Sequence, residues 1–141
     1  MGEMTGQGVL QMIDGSRYEG GFLNGLLSGK GKFVYENGDV YEGDFFEDAY
    51  HGKGVYLSST SAYEGDFERG MRHGKGSFKA LNFSYTGEYA NDQMSGMGIY
   101  TFVNGDEYRG EFKDSKFHGN GVFKTKSRTV EGRFENGRYM V

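Results

Sequence analysis

The sequence predicts an all-β fold, an elongated single-layer antiparallel β-meander assembled from hairpins, and three observations predict it. The first is composition. Of 141 residues, 26 are glycine, 11 tyrosine and 12 phenylalanine, and proline, cysteine and tryptophan are absent. Glycine at that density fits a flexible segment, but a disordered chain lacks such a supply of rings to bury. The second is an internal repeat: Tyr18-Glu19-Gly20, Tyr41-Glu42-Gly43, Tyr63-Glu64-Gly65, Tyr85-Thr86-Gly87, Tyr108-Arg109-Gly110 and Val130-Glu131-Gly132 recur at steps of 22 or 23 residues. Such a period marks stacked supersecondary units. The third is a Gly-x-Gly motif that begins at Gly6, Gly29, Gly52, Gly74, Gly96 and Gly119. In the five complete units it starts nine residues after the glycine of the first motif.

A constant spacing between two motifs points to a hairpin of fixed geometry. If Gly20 faces Gly29, the loop between their strands is Asn24-Gly25. The same rule gives Glu47-Asp48, Arg69-Gly70, Asn91-Asp92, Asp114-Ser115 and Asn136-Gly137. Two-residue hairpin loops require positive φ at both positions, which Asn, Asp and Gly accept and Glu47 and Arg69 fit less well. In this register Glu19 faces Lys30, Glu42 faces Lys53 and Glu64 faces Lys75, while Asp44, Asp66 and Glu111 face His51, His73 and His118. Complementary charges opposite one another make this the polar face.

The other face follows from strand alternation. It sets Tyr18, Gly20 and Phe22 against Gly31, Gly29 and Leu27, so that rings cover bare backbone. The repeat core expected there is Tyr18, Phe22, Tyr41, Phe45, Tyr63, Phe67, Tyr85, Tyr89, Tyr108 and Phe112. Arg72 interrupts the pattern opposite Phe67 and is expected to stack on that ring with its charge in water. The connections between hairpins vary. Longer ones contain Asp14-Gly15, Asn37-Gly38 and Asn104-Gly105, and shorter ones read Ser58-Ser59-Thr60, Ala80-Leu81-Asn82 and Thr125-Lys126-Ser127. The sequence leaves the register across them open.

The units at 41–54 and 63–76, Tyr-Glu-Gly-Asp-Phe followed by His-Gly-Lys-Gly, resemble the MORN repeat nearly letter for letter. The resemblance spans about residues 6–137, with departures at Gly21, Thr86, Tyr89, Arg109 and Val130 and with phenylalanine where the family often has tryptophan. It divides one continuous array over 1–141 into a partial repeat at 1–17, units at 18–40, 41–62, 63–84, 85–107 and 108–129, and a terminal partial repeat at 130–141. It implies a twisted solenoid of about six hairpins. Function is left wide, since these repeats occur in junction proteins, lipid kinases, a lysine methyltransferase, ciliary proteins and protist cytoskeletal scaffolds. The all-repeat scaffolds self-associate through their C-terminal repeats.

Catalysis needs an acid, base or nucleophile gathered in a cleft, whereas every carboxylate and histidine here recurs at the repeat period. The expectation is a chain with no catalytic residues, no cofactor and no metal, hence not an enzyme. Gly-Lys-Gly at 29–31, 52–54 and 74–76 lacks the helix that a phosphate loop requires. The net charge of −4 disfavours nucleic acid. It is unevenly placed, at −7 over residues 1–70 and +3 over 71–141. Gly2 is followed by Gly6 where a myristoylation motif wants Ser or Thr, no leader is readable, and no apolar run approaches a membrane helix.

These observations predict a cytoplasmic scaffold, cytoskeleton- or membrane-associated, that binds itself as a homodimer and binds other proteins. Its self-association is expected at the C-terminal end through Phe117, Phe134, Tyr139 and Met140. The chain begins half a repeat in, at Thr5-Gly6-Gln7-Gly8, as a piece of a longer array would. Two alternatives stand beside this reading. One is a module for membrane phosphoinositides using Arg69, Arg72, Lys75 and Lys79, because membrane electrostatics favour clustered cations. The other is a targeting domain cut from a larger enzyme.

Overall fold

The computed structural model describes residues 3–141, so Gly2, weighed above as a lipidation site, lies outside them. Thirteen antiparallel strands follow chain order in one open sheet, and the described residues contain no helix. The chain divides at Met71/Arg72 into two compact units. The first holds β1 (Gly6–Gln11), β2 (Arg17–Leu23), β3 (Leu26–Val34), β4 (Val40–Phe46), β5 (Ala49–Leu57) and β6 (Ser61–Glu68). The second holds almost all of β7 (Met71–Ala80), then β8 (Phe83–Ala90), β9 (Gln93–Phe102), β10 (Glu107–Lys113), β11 (Lys116–Lys124), β12 (Thr129–Glu135) and β13 (Arg138–Tyr139).

All six two-residue loops form where the nine-residue spacing places them. Both residues of each have positive φ, including Glu47 (48°) and Arg69 (52°), so geometry overrides side-chain preference there. The second loop residue also docks on the preceding hairpin. Asp48 N–H donates to Leu27 O at 3.0 Å and Ser115 N–H to Met94 O at 3.0 Å. Their side chains return the bond, since Asp48 Oδ1 accepts from Leu27 N–H at 2.7 Å and Ser115 Oγ from Met94 N–H at 3.0 Å. A short polar residue at this position therefore satisfies two backbone groups that would otherwise be lost at the strand ends.

The cross-strand register departs from the sequence expectation in one systematic way. Near the loop Phe22 pairs with Leu27, as expected, but beyond it Gly20 pairs with Gly31 rather than Gly29. One residue on β2 stands against three on β3, a bulge that recurs in β4–β5, β8–β9 and β10–β11. The first glycine of each Gly-x-Gly supplies it from the left-handed region, with φ of 81° at Gly29 and 93° at Gly52. Glycines then align across the strands. Gly8, Gly20, Gly31, Gly43, Gly54 and Gly65 form one row in the first unit. Gly76, Gly87, Gly98, Gly110, Gly121 and Gly132 form another in the second.

The bulge corrects two of the three predicted Glu–Lys pairs, those of Glu19 and Glu42. Glu19 faces Lys32 and Glu42 faces Val55, so neither meets the lysine between its own hairpin's glycines. Lys30 instead pairs forward with Asp44 at 2.6 Å, Lys53 pairs with Asp66, and Lys75 stands opposite Glu88. Two of the predicted carboxylate–histidine pairs change as well: among the described residues no hydrogen bond or ion pair joins Asp44 to His51 or Glu111 to His118. Those carboxylates accept the N–H of the residue between the two glycines, Lys53 at 3.0 Å and Asn120 at 2.7 Å. His51 Nδ1 faces the Arg69 N–H at 3.4 Å.

Beneath the bulge lies the core. Tyr18, Tyr41, Tyr63, Tyr85 and Tyr108 are buried, each with its hydroxyl donating to the carbonyl three residues on, at 2.6–2.8 Å. That carbonyl belongs to the residue the bulge has unpaired, so the phenol satisfies a backbone acceptor while its ring covers a glycine. Four of these tyrosines also meet the aromatic ring of their own repeat and of the next in edge-to-face contact: Tyr18 with Phe22 and Phe45, Tyr41 with Phe45 and Phe67, Tyr85 with Tyr89 and Phe112, Tyr108 with Phe112 and Phe134. Phe22, Phe45, Phe67, Tyr89 and Phe112 are buried with Leu27 and Phe134.

Candidate interaction face

The ring face is wider than the core. Two residues after five of the six Gly-x-Gly motifs stands another aromatic: Phe33, Tyr56, Phe78, Tyr100 and Phe123. All five are half-buried. The sequence reading stopped at the tyrosine and phenylalanine of the first motif and missed this third aromatic position, although Gly-x-Gly-x-aromatic is legible in every complete unit. Tyr35, Tyr50, Phe83, Phe102 and Phe117 join these rings.

In the first unit Phe33 lies 4.5 Å from Tyr35, and Tyr35 lies 6.0 Å from Tyr56, whose hydroxyl donates to Asp39 Oδ2 at 2.9 Å. Tyr50 stacks on Tyr41 at 3.8 Å. Burial pushes the Tyr56 phenol up to about 12, with the Asp39 carboxylate adding to the shift. In the second unit Phe83 stacks on Tyr100 at 4.7 Å, Tyr100 meets Phe102 at 4.9 Å, and Phe117 stacks on Tyr108 at 4.0 Å. A half-buried ring keeps one side on the sheet and leaves the other to solvent, so these rings form a partly exposed apolar strip.

The predicted self-association residues are not equivalent in place. Phe134 is buried in its own chain against Tyr108, and Phe117 is half-buried. Tyr139 and Met140 are each 45% exposed. Tyr139 packs 5.5 Å from Phe134 and continues the ring face.

Of the predicted basic patch, Arg69 belongs to the first unit and Arg72, Lys75 and Lys79 to the second. The Arg72 guanidinium lies over the Tyr89 and Phe78 rings, 4.9 and 5.4 Å from their centroids, and its Nε donates to Asp92 Oδ1 at 2.7 Å. Within its own unit Arg72 therefore stacks on these two rings. Burial pushes the Tyr89 phenol up to about 12 against the opposing pull of that guanidinium. Lys75 and Lys79 stand opposite Glu88 and Ser84, and Arg69 occupies a hairpin loop of the first unit. Among the described residues no group of three or more His, Asp or Glu side chains is placed to hold a metal ion.

Comparison with known proteins identifies the architecture. The MORN-repeat family model matches residues 1–17, 18–40, 41–61, 63–80, 85–107 and 108–130, six repeats in all. No curated protein matches the chain.

Proposed function

The chain belongs to the MORN-repeat family, whose repeats are generally protein- and membrane-interaction modules, and from that premise we propose a non-enzymatic, self-associating scaffold. The observation that carries this reading is the strip of half-buried rings beside the closed core. A one-layer sheet leaves such a surface to water unless a partner covers it, and exposed contiguous apolar surface marks interaction sites. The partners are a second copy of the chain and other proteins, and the setting is a cytoplasmic assembly of cytoskeletal or membrane-proximal kind. Tyr139 and Met140 extend this surface at the last hairpin and are the first contacts of the homodimer.

Phosphoinositide binding is the weaker reading. The Arg72 guanidinium is already engaged by Asp92 and two rings, which leaves the proposed headgroup patch without its central cation.

Light scattering on the intact chain over a hundredfold range of concentration tests the proposal. The expected mass rises from one chain to two, and a Tyr139→Glu/Met140→Glu variant stays at one. Both substitutions fall on exposed positions, so the fold survives them. A wild-type chain that remains monomeric throughout overturns self-association.

A further inference from the structure

The loop between β3 and β4 brings a phenol and a carboxylate together on the ring face of the first unit. Tyr35 N–H donates to Asp39 O at 2.8 Å and Gly38 N–H to Tyr35 O at 2.9 Å, which closes the loop, and Asn37 Oδ1 accepts the Asp39 N–H at 2.9 Å. Asp39 stands two residues before Tyr41, on the same face as that ring, where the Tyr56 hydroxyl donates to its Oδ2 at 2.9 Å. Tyr56 is flanked by Tyr35 at 6.0 Å, the ring planes inclined by 42°, and by Tyr50 at 6.2 Å and 57°. The three rings and Asp39 are all half-buried, so each keeps a side to solvent. Burial raises the Tyr35 phenol above its ordinary 10.0, and the nearby Asp39 carboxylate adds to the shift. Among the described residues Asp39 Oδ1 accepts no hydrogen bond and joins no ion pair.

The strand cations of the first unit stand on the other face. Arg17, Lys30, Lys32 and Lys53 are sequence neighbours of Tyr18, Gly31, Phe33 and Gly54, which belong to the ring face, and strand alternation turns them away from it. The second unit shows what rings and a carboxylate do when a cation is at hand. There the Arg72 guanidinium lies 4.9 and 5.4 Å from the Tyr89 and Phe78 centroids and donates to Asp92 Oδ1 at 2.7 Å. The counterpart of the Asp39 cluster, 67 residues further on, is Phe102, Phe117 and Phe123 with Asp106. Its loop closes through the same bonds, Phe102 N–H to Asp106 O at 2.8 Å and Gly105 N–H to Phe102 O at 2.9 Å. Phe123 has no hydroxyl to hold the carboxylate at the rings, and Asp106 Oδ2 accepts from Asn104 Nδ2 at 3.3 Å instead.

We infer that Tyr35, Tyr50 and Tyr56 together with Asp39 bind an arginine side chain of a partner protein, its guanidinium stacked on the phenol rings and donating to Asp39 Oδ1. The inference rests on the ring face being an interaction surface and names the group which that surface receives. The face of an aromatic ring attracts a cation. A planar guanidinium can stack on a ring and still direct N–H groups at a carboxylate from its edge. A lysine ammonium has no plane to stack, and a trimethylammonium headgroup has no N–H for Asp39 to accept. The net charge of −7 over residues 1–70 favours the approach of a cationic segment.

Display of random twelve-residue peptides against the intact chain, followed by NMR of the tyrosine rings with the best selected peptide, tests this. Enriched peptides are expected to share an arginine. The Tyr35 and Tyr56 ring signals should shift, while those of Tyr100 on the ring face of the second unit do not. Replacing the peptide's arginine by citrulline, its uncharged isostere, should weaken binding about tenfold, and so should Asp39→Asn. The asparagine carbonyl still accepts the Tyr56 hydroxyl, so the fold survives it. Asp106→Asn, the matching change in the second unit, should leave the affinity as it was. Enrichment without arginine, tolerance of citrulline, indifference to Asp39→Asn, an equal loss with Asp106→Asn, or no enrichment overturns the inference. So do phosphatidylcholine vesicles that shift the Tyr35 and Tyr56 signals while no peptide is enriched, which would assign the rings to a lipid headgroup. Arginine-free peptides that shift other ring-face signals overturn the inference alone and leave the ring face an interaction surface. The chain's mass in light scattering is a separate readout. A monomeric chain that selects arginine peptides sinks self-association and leaves the cluster standing, and a dimer that selects none does the reverse.

Discussion

Tyr41 shows how one residue type serves the backbone, the core and the pH response together. Its ring covers Gly54, its hydroxyl donates to Asp44 O at 2.6 Å, and its edges meet Phe45 and Phe67. Tyr41→Phe removes only the hydroxyl and is expected to cost about 1 kcal/mol. Tyr41→Ala should cost about 3–5 kcal/mol, as truncation of a buried aromatic does. Lys53, whose side chain is 77% exposed in its pair with Asp66, should lose far less on truncation. Chemical denaturation of the three variants checks this order.

Burial holds Tyr41 and Tyr85 well above the ordinary 10.0 and pushes Tyr56 and Tyr89 to about 12. Above pH 10 the unfolded chain therefore loses phenolic protons that the folded chain retains. The unfolded state then binds fewer protons, so stability falls as pH rises from about 10 towards 12. Denaturation midpoints at pH 9 and pH 11 measure it, and an unchanged midpoint would mean that these phenols titrate freely.

At the level of the hairpin, the sequence revealed some features through spacing and hid others in backbone geometry. The six loops were legible because nine residues between two glycine motifs leave room for only one two-residue connection. The bulge was not, because a Gly-x-Gly reads identically whether its first glycine continues the strand or turns left-handed. That single ambiguity moved the partner of Glu42 from Lys53 to Val55. The contact between Tyr18 and Gly31 survived the error, since the ring leans diagonally onto the glycine although its strand partner is Phe33. The buried rings are legible from the first motif, whereas the half-buried ones follow the second motif, whose glycines mark backbone geometry rather than burial. Loop conformation also yields a prediction. Glu47 and Arg69 occupy left-handed backbone that asparagine adopts at lower cost. Glu47→Asn and Arg69→Asn should each raise stability by about 0.5–1 kcal/mol, read as a higher denaturation midpoint. A lower midpoint would show that their side chains contribute more than the backbone relief.

Across the whole chain, repetition fixes the fold while deviation from the repeat carries the individual character. Tyrosine, glycine and loop recur almost unchanged, whereas charge runs from −7 over residues 1–70 to +3 over residues 71–141. The lysines of β11 have no counterpart in the first unit, and Phe102 and Phe123 replace Tyr35 and Tyr56. Differences of this kind leave the hairpin geometry alone and change only the chemistry of the surface. Hydroxyl-radical footprinting of the intact chain at low and high concentration tests whether the ring face is the surface through which copies meet. Phe117 and Tyr139 should lose reactivity as concentration rises, while Phe46 and Met97 on the opposite face keep theirs. Protection of Phe46 and Met97 with Phe117 and Tyr139 unchanged, or equal reactivity of all four at both concentrations, would contradict it.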